Sequence, residues 1–160
     1  MQTLVDIVKL AIANEVKAKV FYSRASELTS HGDAAMVFLE LVEMEEAHAQ
    51  RLVRAFDGLL QEQGVDATAY LVGLEAEAAG ILSAAEASVL HNAEMRPVLE
   101  FAIGMEAKAR DTYLDLAKRV AGAALRELCE DLAEEEQRHF DALTEARIGV
   151  DTPIDERPAL

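Results

Sequence analysis

The fold is decided by residues 41–52, LVEMEEAHAQRL, and by a near-copy of them at residues 132–143, LAEEEQRHFDAL. Both stretches begin and end on leucine and carry a Glu-x-x-His motif near the centre. Residues three apart project from one face of an α-helix, so each motif can present a carboxylate and an imidazole to one metal ion. A single motif is a weak signal, because it arises by chance in a helical chain rich in glutamate.

The two copies belong to an internal repeat with a spacing of 91 residues. This shift pairs Glu15 with Glu106, Lys17 with Lys108, Tyr22 with Tyr113, Glu45 with Glu136, His48 with His139, and Leu52 with Leu143. Solenoid repeats have much shorter periods, of about 20–50 residues. The repeat therefore predicts one helical hairpin used twice and joined by a long crossover connection.

The composition predicts an all-α fold. Hydrophobic residues make up 51% of the 160 residues, but aromatic residues make up only 5%, and there are three Pro and eight Gly. Ala, Leu and Glu favour helix, and little in the sequence favours a sheet. A chain of this length is normally one domain with a sizeable core.

Apolar periodicity and breaking residues predict four long helices, at residues 4–29, 34–63, about 92–120 and 124–147. Gly32 suits a helix C-terminus, whereas Asp33 and Asn92 suit N-caps. The crossover at about 64–92 is expected to contain one or two short helices, one of them opened by a capping box, Ser-Ala-Ala-Glu, at 83–86. Residues 1–150 would form the bundle, and Gly149 and the tail at 151–160 would be surface-bound or disordered.

The charge and the cysteine content exclude several classes of function. Thirty acidic and fifteen basic residues give a formal charge of −15, which repels nucleic acid and anionic membranes and attracts cations. Cys129 is the only cysteine, which excludes a disulfide framework and a CxxC zinc or rubredoxin site. No signal peptide or membrane-spanning stretch is recognisable, so a soluble cytoplasmic protein is expected.

Hairpin geometry places the lone glutamates level with the two motifs. In an antiparallel hairpin, residues equidistant from the turn lie at the same height. The midpoint between Glu15 and the first motif is residue 31, and the midpoint between Glu106 and the second motif is Gly122. Both midpoints fall in predicted turns, so each hairpin brings a third ligand to its motif.

The four glutamates are also in phase with the hydrophobic stripes. The residues seven positions before and after them are Val8 and Tyr22, Phe38 and Leu52, Leu99 and Tyr113, and Cys129 and Leu143. Four carboxylates and two imidazoles should therefore point inward, where uncompensated charges are costly. Two divalent cations would balance the four carboxylates. The alternative, with the glutamates outside, would expose the apolar stripes to water.

This pattern resembles the ferritin-like di-iron carboxylate superfamily, in which two helices each supply a Glu and two others each supply Glu-x-x-His. All six positions match in order: Glu15, Glu45, His48, Glu106, Glu136 and His139. The duplication and the paired tyrosines, Tyr22 and Tyr113, make the chain most similar to rubrerythrin-type proteins. Over residues 4–147 the resemblance implies a ferritin-like four-helix bundle that holds two iron ions, with manganese or zinc as substitutes.

The chain departs from the related families at several points. It has no four-cysteine rubredoxin domain, and Ala109 replaces an extra glutamate of the third long helix, which argues against redox-linked switching of an iron between ligands. Glu46 stands where a bacterioferritin has its haem-ligating Met, so no haem is expected. The crossover is longer than in cage-forming ferritins, which disfavours a hollow storage shell.

By resemblance, Glu45 and Glu136 would bridge the metals, and the other two glutamates would be terminal ligands. Tyr22 and Tyr113 would hydrogen-bond a ligand carboxylate or a bound oxygen species; alternatively, each is a core residue whose hydroxyl is satisfied elsewhere. The implied activity is reduction of hydrogen peroxide or oxygen by electrons from an external donor such as a rubredoxin-like protein. A homodimer is also implied.

Two other functions remain open at this stage. In one, ferrous ions are the substrates and are oxidised for storage or transfer; in the other, the bundle is not catalytic and carries an inert metal such as zinc. Among the remaining residues, Cys129 is expected to be buried filler, and His31 and His91 surface residues. Three glutamates beside the ligands are expected to point elsewhere, as an entry path for cations: Glu46, Glu134 and Glu135.

Overall fold

The computed structural model describes residues 1–29, 32–80, 82–92 and 94–151, and these residues confirm the all-α fold. The four long helices are α1 (Leu4–Leu28), α2 (Gly32–Glu62), α5 (Met95–Arg119) and α6 (Ala123–Asp151). The connection between α2 and α5 contains two short helices, α3 (Ala67–Ala76) and α4 (Ala84–Asn92), and a 3₁₀ turn at Ala78–Gly80. The described residues include no helix that is long and apolar enough to span a membrane.

The long helices pack as two hairpins. α1 packs along α2, α5 packs along α6, and the hairpins meet through contacts of α1 with α5 and of α2 with α6. The crossover lies against α1, where α3 also contacts α2 and α4 also contacts α5. This arrangement is the four-helix bundle of duplicated hairpins that the repeat predicts.

Local sequence signals account for several helix ends. Thr3 opens α1 with a capping box, in which its hydroxyl accepts from the Asp6 N–H and its own N–H donates to the Asp6 carboxylate. The capping box predicted at the start of α4 is present as well, between Ser83 and Glu86. Gly122 has φ +95°, a left-handed conformation that favours glycine, so the second hairpin turns where the midpoint predicts.

Three predicted boundaries are wrong. Gly32 and Asp33 lie inside the first turn of α2. Asn92 ends α4 and does not cap α5, because α5 starts further along the chain. It starts two residues before Pro97, and proline is tolerated in the first turn of a helix. α6 continues past Gly149 to Asp151, since Val150 packs on the hydrophobic core and holds the last turn. His31 and residues 152–160 lie outside the described residues.

Two hydrophobic clusters fill the bundle, one on each side of the ligand layer. One contains Val8, Leu52, Tyr113 and Cys129 with their neighbours, and the other contains Tyr22, Phe38, Leu99 and Leu143 with theirs. These eight residues are the ones seven positions from the glutamates, and none is more than 1% exposed. The phase of the glutamates with the core is therefore confirmed.

Candidate metal centre

All six predicted ligands are buried between the two hydrophobic clusters. None is more than 3% exposed: Glu15 on α1, Glu45 and His48 on α2, Glu106 on α5, and Glu136 and His139 on α6. Carboxylates are almost never this buried unless they are paired or bind a metal. The structure thus brings together in a single chain every metal ligand that the sequence predicts.

The six residues form two overlapping ligand sets. One contains Glu15, Glu45, His48 and Glu136; the other contains Glu45, Glu106, Glu136 and His139. Within each set, one ligand atom from every residue lies within 4.8 Å of all the others. The two sets share Glu45 and Glu136, one from each hairpin.

The shared glutamates each direct one oxygen toward either histidine. Oε1 of Glu136 is 3.1 Å from Nδ1 of His48, and its Oε2 is 2.9 Å from Nδ1 of His139. Glu45 is arranged in the same way. Its Oε2 is 3.5 Å from Nδ1 of His48, and its Oε1 is 3.2 Å from Nδ1 of His139. Each of these two carboxylates therefore lies where it would contact two metal ions if both sets were occupied.

The remaining two glutamates each lie close to only one of the histidines. Glu15 lies 3.4 Å from Nδ1 of His48, and Glu106 lies 3.4 Å from Nδ1 of His139. The two imidazoles stack with a centroid distance of 5.4 Å and an interplanar angle of 14°. The cluster consequently has two similar halves, each with one unshared carboxylate and one histidine.

Unpartnered polar atoms show that a metal pair fits this cluster. Seven buried side-chain atoms among the described residues have no hydrogen-bond partner, and all seven belong to five of the six predicted ligands: Glu15 Oε2, Glu45 Oε1, His48 Nδ1, both Glu136 oxygens, and Nδ1 and Nε2 of His139. Buried polar atoms without partners are rare and costly. Carboxylate with imidazole ligation suits iron, manganese or zinc, and would satisfy most of these atoms at once.

Without metal, protons compensate the buried carboxylates. Burial alone would lower the pKa of His139, but the carboxylates of Glu106, Glu136 and Glu45 outweigh it and raise that pKa to about 12. The pKa of His48 is raised in the same way. Burial raises the pKa of Glu106 to about 8, whereas both histidines hold the pKa of Glu136 at about 2 despite its burial.

We expect metal binding to release at least two protons at pH 7. Both histidines are protonated in the metal-free chain, and a metal takes the neutral imidazole, so two ions must displace one proton from each ring. Apparent affinity should therefore rise with pH. Calorimetric Mn²⁺ titrations in buffers of different ionisation enthalpy measure the proton count, and a binding heat independent of the buffer would contradict this expectation.

A family model described as Rubrerythrin matches residues 6–90 and 97–155, ranges that contain all six ligands. The chain belongs to the rubrerythrin family. No curated protein and no solved structure matches it significantly. Family membership and the buried cluster together indicate a di-iron type of centre.

The two predicted tyrosines contact, in the opposite hairpin, the glutamate that belongs to only one ligand set. The hydroxyl of Tyr22 donates to Glu106, and the hydroxyl of Tyr113 donates to Glu15. Burial and the neighbouring carboxylates raise the pKa of both tyrosines, so both remain protonated donors. Of the two interpretations left open by the sequence, a hydrogen bond to a ligand carboxylate is the one observed.

The expectation that Glu135 points away from the ligands is wrong. Nε2 of His48 donates to Glu135 over 2.8 Å, and Arg51 binds the same carboxylate over 2.9 and 3.0 Å. No sequence signal indicated this contact, because it depends on how α6 faces α2, which a local pattern does not specify. Glu46 instead pairs with Lys19, and Glu134 is exposed.

A cavity of about 200 Å³ connects the surface of the bundle with the carboxylates. It lies between α1 and α5, beside α4, and reaches Glu15, Glu45 and Glu106 but neither histidine. Ala18 and Ala109, which the repeat superimposes, both line it. The small side chain that replaces the extra glutamate therefore leaves open space next to the ligands.

The minor predictions have mixed outcomes. Cys129 is fully buried, and burial raises the pKa of its thiol to about 11, as suits a core residue. His91 is exposed on the last turn of α4. No sequence pattern placed Glu86 near the ligands, yet Glu86 lines the cavity and lies 3.6 Å from Lys17.

Proposed function

We propose that this chain is a di-iron oxidoreductase that reduces hydrogen peroxide or oxygen with electrons from a separate donor. The two ligand sets that share Glu45 and Glu136 carry this proposal. When bound, two ferrous ions side by side would supply two electrons, which with two protons from solvent reduce hydrogen peroxide to two water molecules or oxygen to hydrogen peroxide. The burial of all six residues supports this role, because the two hydrophobic clusters shield most of the centre from bulk water.

Each ligand has a role in the proposed centre. Glu45 and Glu136 would bridge the two ions, because each directs one oxygen to either histidine. The Glu15–His48 pair would complete one ion, and the equivalent pair on α5 and α6 would complete the other. Manganese or zinc can occupy such ligands, so the metal must be controlled in every assay.

The two tyrosines would hold the terminal carboxylates and supply protons. Each hydroxyl donates across the bundle to a terminal ligand, Tyr22 to Glu106 and Tyr113 to Glu15. A protonated phenol beside the ligands can donate a hydrogen bond to an oxygen atom that gains negative charge during reduction. We therefore retain both as proposed catalytic residues.

The oxidant would approach through the cavity between α1 and α5. The cavity is lined by three of the carboxylates and by neither imidazole, so an oxidant would reach the carboxylates first. Ala109 leaves the space through which a small molecule would pass. The cavity thus supports a small oxidant such as hydrogen peroxide or oxygen.

Ala109→Leu should slow oxidation of the loaded iron by peroxide by at least about tenfold, because the larger side chain fills the approach to the ligands. Iron content should stay at the wild-type value. Stopped-flow absorbance measures the rate, and Ala124→Leu, at an exposed position on α6, is the matched control. An unchanged rate in Ala109→Leu would exclude this route.

Electrons would enter from outside these 160 residues. The sequence has one cysteine, Cys129, and it is buried in the core, so it cannot form a four-cysteine iron centre. A rubredoxin-like protein is the proposed donor. A homodimer also remains a prediction, and completing the centre does not require it, because one chain supplies both ligand sets.

The proposed function is tested by anaerobic loading with ferrous iron, followed by mixing with hydrogen peroxide or, separately, with oxygen. Two irons per chain that are oxidised rapidly by peroxide and slowly by oxygen would support a peroxidase. Preference for oxygen, with uptake beyond two irons and elution at hundreds of kilodaltons, would favour iron storage instead. Stoichiometric zinc without iron-dependent absorbance would favour a non-catalytic bundle.

A further inference from the structure

The two histidines of the centre differ in the hydrogen bonding of their Nε2 atoms. Nε2 of His48 donates to the Glu135 carboxylate over 2.8 Å, and Arg51 fixes that carboxylate with two hydrogen bonds. Nε2 of His139 is buried and has no hydrogen-bond partner among the described residues. The two halves of the centre are therefore alike in their ligands and unlike in the support behind them.

The internal repeat shows where this support is missing. A shift of 91 residues places Met44 where Glu135 stands, and Ala142 where Arg51 stands. Neither methionine nor alanine can accept the N–H of His139 as a carboxylate does.

A different contact, between the two long helices of a hairpin, is present in both halves. Lys19 binds Glu46 in the first hairpin, and Arg110 donates to Gln137, over 2.7 Å, in the second. These two pairs are related by the same shift of 91 residues. The asymmetry behind the histidines therefore does not extend to this contact.

Support behind a histidine affects its strength as a ligand. A carboxylate that accepts the second ring N–H fixes the tautomer and the ring orientation and makes the imidazole more basic, and its loss typically weakens metal binding by about 10–100-fold. With the Nε2 proton held by Glu135, Nδ1 of His48 is free to face the ligand set. His139 has no such restraint.

We propose that the two metal positions are unequal: the ion at Glu15 and His48 binds first and tightly, and the ion at Glu106 and His139 binds second and exchanges more readily. Glu135, held by Arg51, is the positioning residue that creates the difference. This inference rests on the proposed di-metal centre. It implies that a chain with one metal accumulates during loading and metal loss.

Calorimetric titration of the metal-free full chain with Co²⁺ tests the inference, with visible absorbance as a second readout. The wild type should bind two ions in two steps whose dissociation constants differ by about 10–100-fold. Glu106→Ala should remove the weaker step, and Glu15→Ala the tighter one. Two ions of equal affinity would overturn the inference but leave the centre intact, whereas no Co²⁺ binding would reject the centre itself.

Variants of Glu135 test whether this residue causes the difference in affinity between the two steps. Glu135→Ala should weaken the tighter step by about 10–100-fold and leave the weaker step unchanged. Glu134→Ala removes the same charge from the neighbouring exposed position and should change neither step. Glu135→Gln keeps an oxygen acceptor and should recover part of the affinity. Equal weakening of both steps by Glu135→Ala would contradict a role specific to His48.

A variant designed to give His139 a carboxylate partner provides an independent test. Met44→Glu places a carboxylate at the repeat-related position and should strengthen the weaker step, so that the two steps converge. Circular dichroism confirms that the variant folds. An unchanged weaker step in a folded Met44→Glu chain would overturn the explanation.

Discussion

Glu136→Ala should abolish binding of both metal ions, whereas Glu15→Ala should abolish only one. Glu136 directs one oxygen to each histidine, at 3.1 and 2.9 Å, and belongs to both ligand sets. Glu15 contacts only His48 and belongs to one set. The number of bound ions should therefore fall from two to none in the first variant and from two to one in the second.

Metal content per chain, measured by mass spectrometry after gel filtration, checks this expectation. Glu134→Ala removes a carboxylate of the same helix that is exposed, and it should retain two ions. One ion remaining in Glu136→Ala would contradict a bridging role, because the other half would then be complete without that residue.

Metal should stabilise the fold strongly, and Glu45→Leu should remove the effect. At free metal about 1,000 times the dissociation constant, each site contributes about 4 kcal/mol to the free energy of unfolding. For a chain of this size, 1 kcal/mol shifts Tm by about 2–4 °C, so two ions should raise Tm by about 15–30 °C. Glu45→Leu removes a ligand common to both sets and should show little of this rise.

The metal-free form of Glu45→Leu should be at least as stable as the metal-free wild type. Glu45 is 2% exposed, and burial followed by the charges of Glu15, Glu106 and Glu136 raises its pKa well above the usual value. Glu45→Leu removes a buried carboxyl oxygen, Oε1, that has no hydrogen-bond partner, and leaving such a group unsatisfied costs about 1–3 kcal/mol. Calorimetry with and without a chelator measures both effects. A metal-dependent rise in Tm that is undiminished in the variant would contradict the ligand assignment.

The sequence predicted the ligand layer because the layer depends on periodicity. A separation of three residues within each Glu-x-x-His motif, and of seven residues between each glutamate and the core, fixes which side chains share a face. The midpoints of the hairpins then set the heights of the ligands along the bundle. Gly122 forms the second turn at the predicted midpoint. All six ligands are accordingly buried together.

Contacts between the hairpins could not be predicted in the same way. The bonds of Tyr22 to Glu106 and of Tyr113 to Glu15 depend on how the two hairpins face one another, which no local pattern specifies. The same holds for the Arg51–Glu135 pair, which joins α2 to α6. Helix ends shifted for a different reason, because packing of Val150 on the core extends α6 past Gly149.

Neither hairpin contains a complete ligand set. The set around His48 takes Glu136 from the second hairpin, and the set around His139 takes Glu45 from the first. The tyrosines cross between hairpins as well. Metal binding and docking of the hairpins should therefore be coupled, which accounts for the large expected effect of metal on stability.

Mössbauer spectroscopy of the chain loaded anaerobically with ⁵⁷Fe²⁺ tests the central claim most directly. The proposed centre predicts two high-spin ferrous ions per chain, which become a spin-coupled ferric pair after one equivalent of hydrogen peroxide. Iron below two per chain in the wild type, or ferric ions that remain magnetically isolated after oxidation, would contradict a dinuclear centre at these six residues.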